Sequence, residues 1–448
     1  MIYRLTGTAR VRAMLLGTAL VLLDASFASA AQPMIVDVQE TAGIRRFQYP
    51  VAVRLQLSEP VDRETGFQLL LDDRPMLAQF RPAEQGEAVA GWWLDFPVDL
   101  LPYQSLAFRV EYGGPSPAGP TAKRGHQLIE SDALFQVVNE PAIAWSIDRK
   151  LAGLLKSVRS GELEYLRTDS LGLLLTDRNG NEHTVDGNRD GCTVAAHVVR
   201  NGPLAVGIRF EVVEGNPELA GVRSTVDLVF PVFKSWVEVD WRVDDPQEKL
   251  LGLGAQVDMN LNEPTRSLPT LVDFGATNLV YAFLPPGQNA VLRGGPTVAE
   301  PQPASKYPRP AWEILRGPSD RLEPFVFGPR QLQADTRPEG WVHAMDRQRC
   351  LALAVDGFAQ DAADRISVSA AGAVRLNREF PTAALQSPMR AKQLRFWLHF
   401  VPFPPQQTAA TSPQSMQTPP VCILRKIGER QGASRRFLID PIGGNTGG

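Results

Sequence analysis

The chain has 448 residues, which is enough for two or three domains that each bury a core. Its 46 Lys and Arg against 49 Asp and Glu give a formal charge of −3, with both signs interspersed. This composition excludes a strongly basic nucleic-acid surface, so we predict no nucleic-acid partner. P-loop, GxSxG and HExxH motifs are absent, which removes the usual support for nucleotide-dependent, serine hydrolase and zincin chemistry, and we predict no cofactor.

Residues 1–30 have the layout of a secretory signal peptide. Arg4, Arg10 and Arg12 precede an apolar run, and the segment ends in Ala-Ser-Ala, a small-residue cleavage site. The apolar run is too short to span a bilayer, and no later segment is apolar over a spanning length. We therefore predict a secreted or periplasmic protein with no transmembrane segment after signal cleavage.

Three cysteines, Cys192, Cys350 and Cys422, are too few for a disulfide framework. None has the spacing to another Cys or His that zinc sites show, so we predict no metal site. A Cys192–Cys350 bridge and three isolated buried thiols both remain open.

Residues 31–120 predict a small barrel-like domain of short strands. The segment 50–60 alternates apolar and polar residues, and 66–82 is typical of a hairpin with its turn at Asp72 to Pro75. A Gly- and Pro-rich connection over 113–126 then marks a domain boundary.

Residues 121–403 predict a large antiparallel β-sandwich. Strand-like runs follow one another with little room for crossover helices, and Asp177 to Gly180 indicates a hairpin turn. The segment 151–167 contains several leucines, but Gly153 and Gly161 favour strand and turn over helix. Residues 404–448 predict a Pro/Gln/Thr-rich linker and a flexible tail. The predicted fold class is therefore all-β, a small barrel-like domain followed by a supersandwich-like β-sandwich.

Two strands combine an apolar face with a polar face that carries a tryptophan. In the first, Val237, Val239 and Trp241 predict the core face, and in the second Leu394, Phe396 and Leu398 do so. The opposite faces contain the candidate ligand-binding residues Trp236, Glu238, Asp240, Arg242, Arg395 and Trp397. An aromatic ring with charged neighbours is typical of sugar binding. The same alternation also describes a solvated sheet face with cross-strand ion pairs.

The catalytic candidates are isolated residues without a motif. His343, His399 and Tyr281 could each carry a proton, but a structural role for each is the alternative. An enzyme built on them would be a polysaccharide lyase, with a His or Tyr base close to an Arg that neutralises a uronate carboxylate.

The segments VVRNGPLAVGIRFEV and RSTVDLVFPVFKSWVEVDWRVDD resemble the central β-sandwich of exo-rhamnogalacturonan lyase-like (YetA-like) proteins. The segment PVAVRLQLSEPVDRETGFQLLLDDRPMLAQF is similar to the small N-terminal barrel of that family. Family members continue into a C-terminal α/α toroid that this sequence lacks, so no catalytic residue is carried over. The resemblance implies a carbohydrate-associated β protein.

The function that these observations predict is recognition or processing of an acidic polysaccharide through a polar aromatic sheet face. The alternative is a non-enzymatic structural or assembly module that binds another protein, which exposed apolar patches would favour.

Overall fold

The computed structural model describes residues 33–84, 86–113, 120, 125–139, 142–262, 268–276, 280–295, 312–325, 338–380, 391–402, 413–426 and 435–437. The predicted signal peptide lies outside these residues. The predicted all-β fold is confirmed, because the described part forms antiparallel sheets and a single short helix. None of the described helical structure has the length and apolarity of a membrane span.

The N-terminal part contains two open sheets rather than a closed barrel. Its strands are β1 (Met34–Gln39), β2 (Arg46–Asp62), β3 (Phe67–Leu71), β4 (Arg74–Pro75), β5 (Gln79–Pro82), β6 (Ala88–Leu100) and β7 (Ser105–Tyr112). The three-stranded sheet has the order β2-β6-β5. The predicted hairpin turn lies between β3 and β4, where Asp72 and Asp73 adopt φ values of 50° and 61°.

A segment near the C-terminus, described over 413–426 and 435–437, joins this N-terminal part. Helix α1 (Pro413–Gln417) leads into β30 (Val421–Lys426), and β31 (Arg435–Phe437) follows. Strand β30 pairs antiparallel with β1, which completes a six-stranded sheet of order β31-β30-β1-β7-β3-β4. Within the predicted linker and tail over 404–448, the described residues thus include one helix and two strands, and the linker and tail stay a prediction for the other residues. Pairing with β1 satisfies the backbone of β30 and buries Met416 and Cys422.

The remainder forms a β-sandwich with a small additional sheet. The five-stranded sheet contains β12 (Leu163–Glu164), β11 (Ser157–Ser160), β10 (Ile143–Asp148), β9 (Leu134–Asn139) and β8 (Gln127–Glu130). The segment 151–167 thus forms strand and turn, as predicted.

Two larger sheets form the sandwich. The eight-stranded sheet contains, in spatial order, β14 (Glu182–Thr184), β13 (Gly172–Asp177), β19 (Leu250–Asp258), β28 (Ala373–Glu379), β27 (Ala363–Ser369), β22 (Gln288–Gly294), β23 (Trp312–Pro318) and β24 (Glu323–Pro324). The nine-stranded sheet contains β15 (Cys192–Arg200), β16 (Ala205–Glu214), β17 (Arg223–Pro231), β18 (Trp236–Asp244), β29 (Ala391–Pro402), β26 (Arg349–Val355), β25 (Pro338–Met345), β20 (Thr270–Ala276) and β21 (Val280–Leu284).

The inner faces of these two sheets share one hydrophobic core. Val239 and Trp241 of β18 and Phe396 of β29 lie in it, which confirms the predicted core faces of both strands. A second core joins the two N-terminal sheets and also contains Trp236 and Trp397 from the opposite face of the nine-stranded sheet. The N-terminal part therefore packs against the face that the sequence marked as a binding surface.

Candidate functional site

The face of the nine-stranded sheet that points away from the sandwich core is called the outer face below. Its tryptophans Trp236, Trp397 and Trp341 are only 2%, 3% and 7% exposed, because the N-terminal sheets cover them. Tyr49 of β2 contacts Trp236 directly, with the ring centroids 6.0 Å apart. Trp236 and Trp397 therefore belong to a core between two parts of the protein, and their predicted ligand role stays a prediction.

Glu238 and Arg395 line a small cavity at this junction. The Arg395 Nε donates to Glu238 Oε1 at 2.8 Å, and the guanidinium lies 5.1 Å from the centre of the Trp397 ring. The cavity has a volume of about 60 Å³. That volume holds a few water molecules, whereas pockets for organic ligands measure on the order of 300 Å³ or more. Glu238 and Arg395 therefore pair with each other beside a cavity of water size, and their predicted ligand role stays a prediction.

Asp240 and Arg242 belong to an ion-pair network along the same face. Asp227, whose side chain is fully buried, accepts both Arg209 Nε at 2.7 Å and Arg242 Nη2 at 2.7 Å. Asp240 accepts the Gln393 amide at 2.7 Å, and burial raises its pKa although Arg242 opposes the shift. The alternative interpretation of the polar face, cross-strand ion pairing, therefore describes Asp240 and Arg242.

The three catalytic candidates fall in one row across the outer face. Residues directly opposite each other in register are Tyr281 with Asp273, Asp273 with His343, His343 with Ala352, and Ala352 with His399. Directly opposite residues of antiparallel strands project to the same side of a sheet. The fold thus brings together residues that are far apart in the sequence.

His399 lies at the covered end of this row. It is 5% exposed and packs edge-on against Trp236, with the ring centroids 5.7 Å apart. Burial, together with the nearby His343 and Lys234, lowers the pKa of His399 to about 3. An imidazole with that pKa stays neutral at neutral pH and is a weak base, so we assign His399 a structural role.

Tyr281 and Phe283 lie at the open end of the row. They project from the same side of β21, an edge strand of the sheet, and are 60% and 57% exposed. We call this pair the aromatic shelf. Beside it, His343 Nδ1 lies 3.3 Å from Asp273 Oδ2, with both side chains partly exposed. The second carboxylate oxygen of Asp273 has no hydrogen-bond partner in the described part of the chain.

Asp273 and Phe283 were not identified from the sequence. Asp273 gains significance only from its register opposite His343 and Tyr281, which no local pattern indicates. Phe283 lies two residues from Tyr281 in a strand, so alternation placed the two on one face once the strand was known.

Asp177, His183 and Glu218 form the only group of at least three His, Cys or carboxylate side chains close enough together to hold a metal ion among the described residues. Asp177 already accepts the backbone amides of Asn179 and Asn181 and lies 3.2 Å from His183 Nε2. Burial would raise the pKa of Asp177, but these hydrogen bonds lower it to about 2. The carboxylate therefore stabilises the predicted hairpin turn, a role that requires no metal.

A larger, open depression of about 520 Å³ lies beside β22 and β23. Its polar side chains pair with one another: Arg316 donates to Gln288 at 3.1 Å, and Arg321 pairs with Glu323.

The three cysteines are free and buried, so the Cys192–Cys350 bridge left open by the sequence does not form.

A scan against protein-family models found no match, and a search of curated proteins found none either. Among solved structures, the chain is similar to a glycosyl hydrolase family 38 protein from Enterococcus faecalis, with a TM-score of 0.53 and 10% identity. That match covers 89% of this chain and 48% of the other, so this chain spans about half the length of its neighbour. A galactose mutarotase-like protein from Lactobacillus casei is matched at a TM-score of 0.33 and 12% identity, over 62% of this chain and 100% of the other. The first likeness shows a shared β-rich fold.

Proposed function

We propose that this chain is an exported protein that recognises an acidic polysaccharide, with the aromatic shelf as its sugar-contacting surface. The observation that carries the proposal is the exposed pair Tyr281 and Phe283 beside the Asp273–His343 pair. Aromatic faces pack against the C–H groups of a sugar ring, and carboxylate and imidazole groups bind its hydroxyls.

The openness of the shelf supports a polymer rather than a single sugar as the ligand. Both rings lie on the edge strand of an open sheet, where a long chain could extend past either end. The structural neighbour from Enterococcus faecalis is named a glycosyl hydrolase, and this name is consistent with a carbohydrate ligand.

Recognition is favoured over lyase chemistry at this site. A lyase needs a base near an arginine that neutralises the uronate carboxylate. The partner of His343 within the described residues is the carboxylate of Asp273, which would repel a uronate there. We therefore infer that the uronate carboxylates of the ligand lie away from His343.

Protein binding is the second candidate function. An edge strand with two exposed aromatic rings is also a surface on which another protein could pack. Affinity for a saccharide separates the two candidates, because a protein-docking surface has no need to bind free sugars.

The test measures binding of the chain from Ala31 onward to pectic and other polysaccharides by affinity electrophoresis and calorimetry. Tyr281→Ala and Phe283→Ala are each expected to weaken binding about tenfold, since each removes one stacking face. Tyr103→Ala is the matched control, because Tyr103 is 73% exposed but lies in the N-terminal part.

Unchanged binding by both shelf variants would exclude the shelf as the sugar site. A wild-type chain that binds no saccharide but is retained by a partner protein would support the assembly function instead. Ultraviolet absorbance of a 4,5-unsaturated uronate in the same samples would reveal lyase activity. This result would contradict the proposal that the chain recognises the polysaccharide without cleaving it.

A further inference from the structure

Three arginines lie close together on the face of the eight-stranded sheet that points away from the core. Arg293 of β22 stands directly opposite Arg365 of β27, and Arg365 stands directly opposite Asn377 of β28. Arg375 lies two residues before Asn377 and so projects from the same face. We call Arg293, Arg365 and Arg375 the arginine row.

The two outer members of the row are neutralised by carboxylates. Arg293 Nε donates to Glu313 at 2.6 Å, and Arg375 forms an ion pair with Glu182. Arg375 Nε also donates to the Asn377 side-chain oxygen at 2.9 Å. Because this contact engages the side-chain oxygen of Asn377, the NH₂ group of the same amide can donate to a ligand.

Arg365, at the centre of the row, forms no hydrogen bond or ion pair within the described residues. Arg365 is exposed, and partial desolvation together with the charges of Arg293 and Arg375 lowers its pKa, against an opposing contribution from Glu379. Like charges directly opposite each other in a sheet are destabilising. Glu313 offsets part of this repulsion at Arg293, and an anion beside Arg365 would offset the remainder.

The opposite sheet of the same sandwich contains two arginines that are neutralised by one carboxylate. On the outer face of the nine-stranded sheet, Arg209 and Arg242 share the carboxylate of Asp227. Arg365 differs from Arg209 and Arg242 in that no carboxylate lies within ion-pair distance of its guanidinium among the described residues.

We propose that Arg365, together with Arg293 and the amide of Asn377, binds a carboxylate or sulfate group of an acidic saccharide. A guanidinium presents parallel N–H donors that match either group bidentately. The hydroxyl of Ser367, which projects from the same side of β27 two residues further on, supplies an additional donor.

The surroundings favour a small anionic group over a nucleic acid. Glu313, Glu182 and Glu379 border the row. These carboxylates would repel a backbone of closely spaced phosphates, but they leave room for one charge at Arg365. This proposal takes the saccharide nature of the ligand from the proposed function. The site itself is independent of that function, because the arginine row and the aromatic shelf lie on different sheets.

The test uses three probes: inorganic sulfate, galacturonate oligosaccharides and neutral galactose oligosaccharides. Wild-type chain is expected to bind sulfate and the acidic oligosaccharide more tightly than the neutral one, with affinity that falls as salt rises. Arg365→Gln is expected to reduce binding of both anionic probes at least about tenfold and to leave neutral-sugar binding unchanged. Arg365→Lys should retain part of the affinity, because it keeps the charge but loses the bidentate geometry.

Arg54→Gln is the matched control, since Arg54 is an exposed arginine of the N-terminal part that pairs with Glu84. Equal affinity of wild type and Arg365→Gln for the anionic probes, or no binding of them by wild type, would overturn the inference. Tyr281→Ala separates the two proposals. If Tyr281→Ala loses neutral-sugar binding but keeps sulfate binding, both sites are supported. If sulfate binding depends on Arg365 and the wild type binds no neutral sugar, only the arginine row is supported.

Discussion

The ring of Tyr49 lies 6.0 Å from that of Trp236, at an angle of 56°, and this contact joins the N-terminal sheets to the outer face of the nine-stranded sheet. Tyr49 also donates its hydroxyl to the carbonyl of Ser415, so the same residue contacts the C-terminal helix. Three segments that are distant in the sequence therefore meet at one aromatic pair.

Trp236→Ala is expected to destabilise the protein by about 3–5 kcal/mol, because it empties a buried aromatic site at this junction. Combined with Tyr49→Ala, it should show a coupling free energy of about 0.5–1.5 kcal/mol in a double-mutant cycle. Chemical denaturation of the two single variants and the double variant measures this coupling. Strict additivity would mean that the two rings do not stabilise each other.

Met416→Ala is expected to cost about 2–5 kcal/mol, because the side chain of Met416 is 1% exposed within the second core. The neighbouring Arg46 holds helix α1 by donating to the carbonyls of Ser415 and Thr418 at 2.6 and 2.5 Å. Equilibrium unfolding in denaturant measures the change. A cost below about 0.5 kcal/mol, which is usual for exposed positions, would indicate that Met416 is not packed and that 413–426 is flexible, as the sequence predicts.

Asp227→Ala is expected to destabilise the protein by about 3–5 kcal/mol, since it leaves Arg209 and Arg242 without their shared buried carboxylate. Glu84→Ala is the control, because it breaks the exposed pair with Arg54 and should cost no more than about 1 kcal/mol. Thermal and denaturant unfolding of the two variants compares these costs. Similar costs for both would show that the network contributes no more than a surface ion pair.

His399→Gln is expected to flatten the dependence of stability on pH. The folded pKa of about 3 lies below the unfolded value near 6.5, so the unfolded state binds the proton first as the pH falls. Stability from the neutral imidazole is present above about pH 6.5 and is lost progressively below it. Between about pH 7 and pH 4, the wild type should lose about 3 kcal/mol relative to the variant. Parallel unfolding curves across that interval would contradict burial of a neutral His399.

Local sequence determined the strands and which of their residues face the sandwich core. Alternation in 236–244 and 391–402 identified Val239, Trp241 and Phe396 as core residues, because side chains of a strand point to opposite faces whatever the strand pairs with. Turn residues likewise located the hairpins at Asp72 and Asp177, since turn geometry depends on only a few consecutive residues.

Only the tertiary structure decided what covers the other face of each strand. Trp236 and Tyr281 are both aromatic residues of strands on the outer face, yet the first is buried and the second is exposed. Their difference arises from the packing of the N-terminal sheets over Trp236 and from the position of β21 at a sheet edge. Pairing between strands distant in the chain also placed Asp273 opposite His343 and Arg293 opposite Arg365. Such register depends on the fit of whole sheets, which no local period in the sequence encodes.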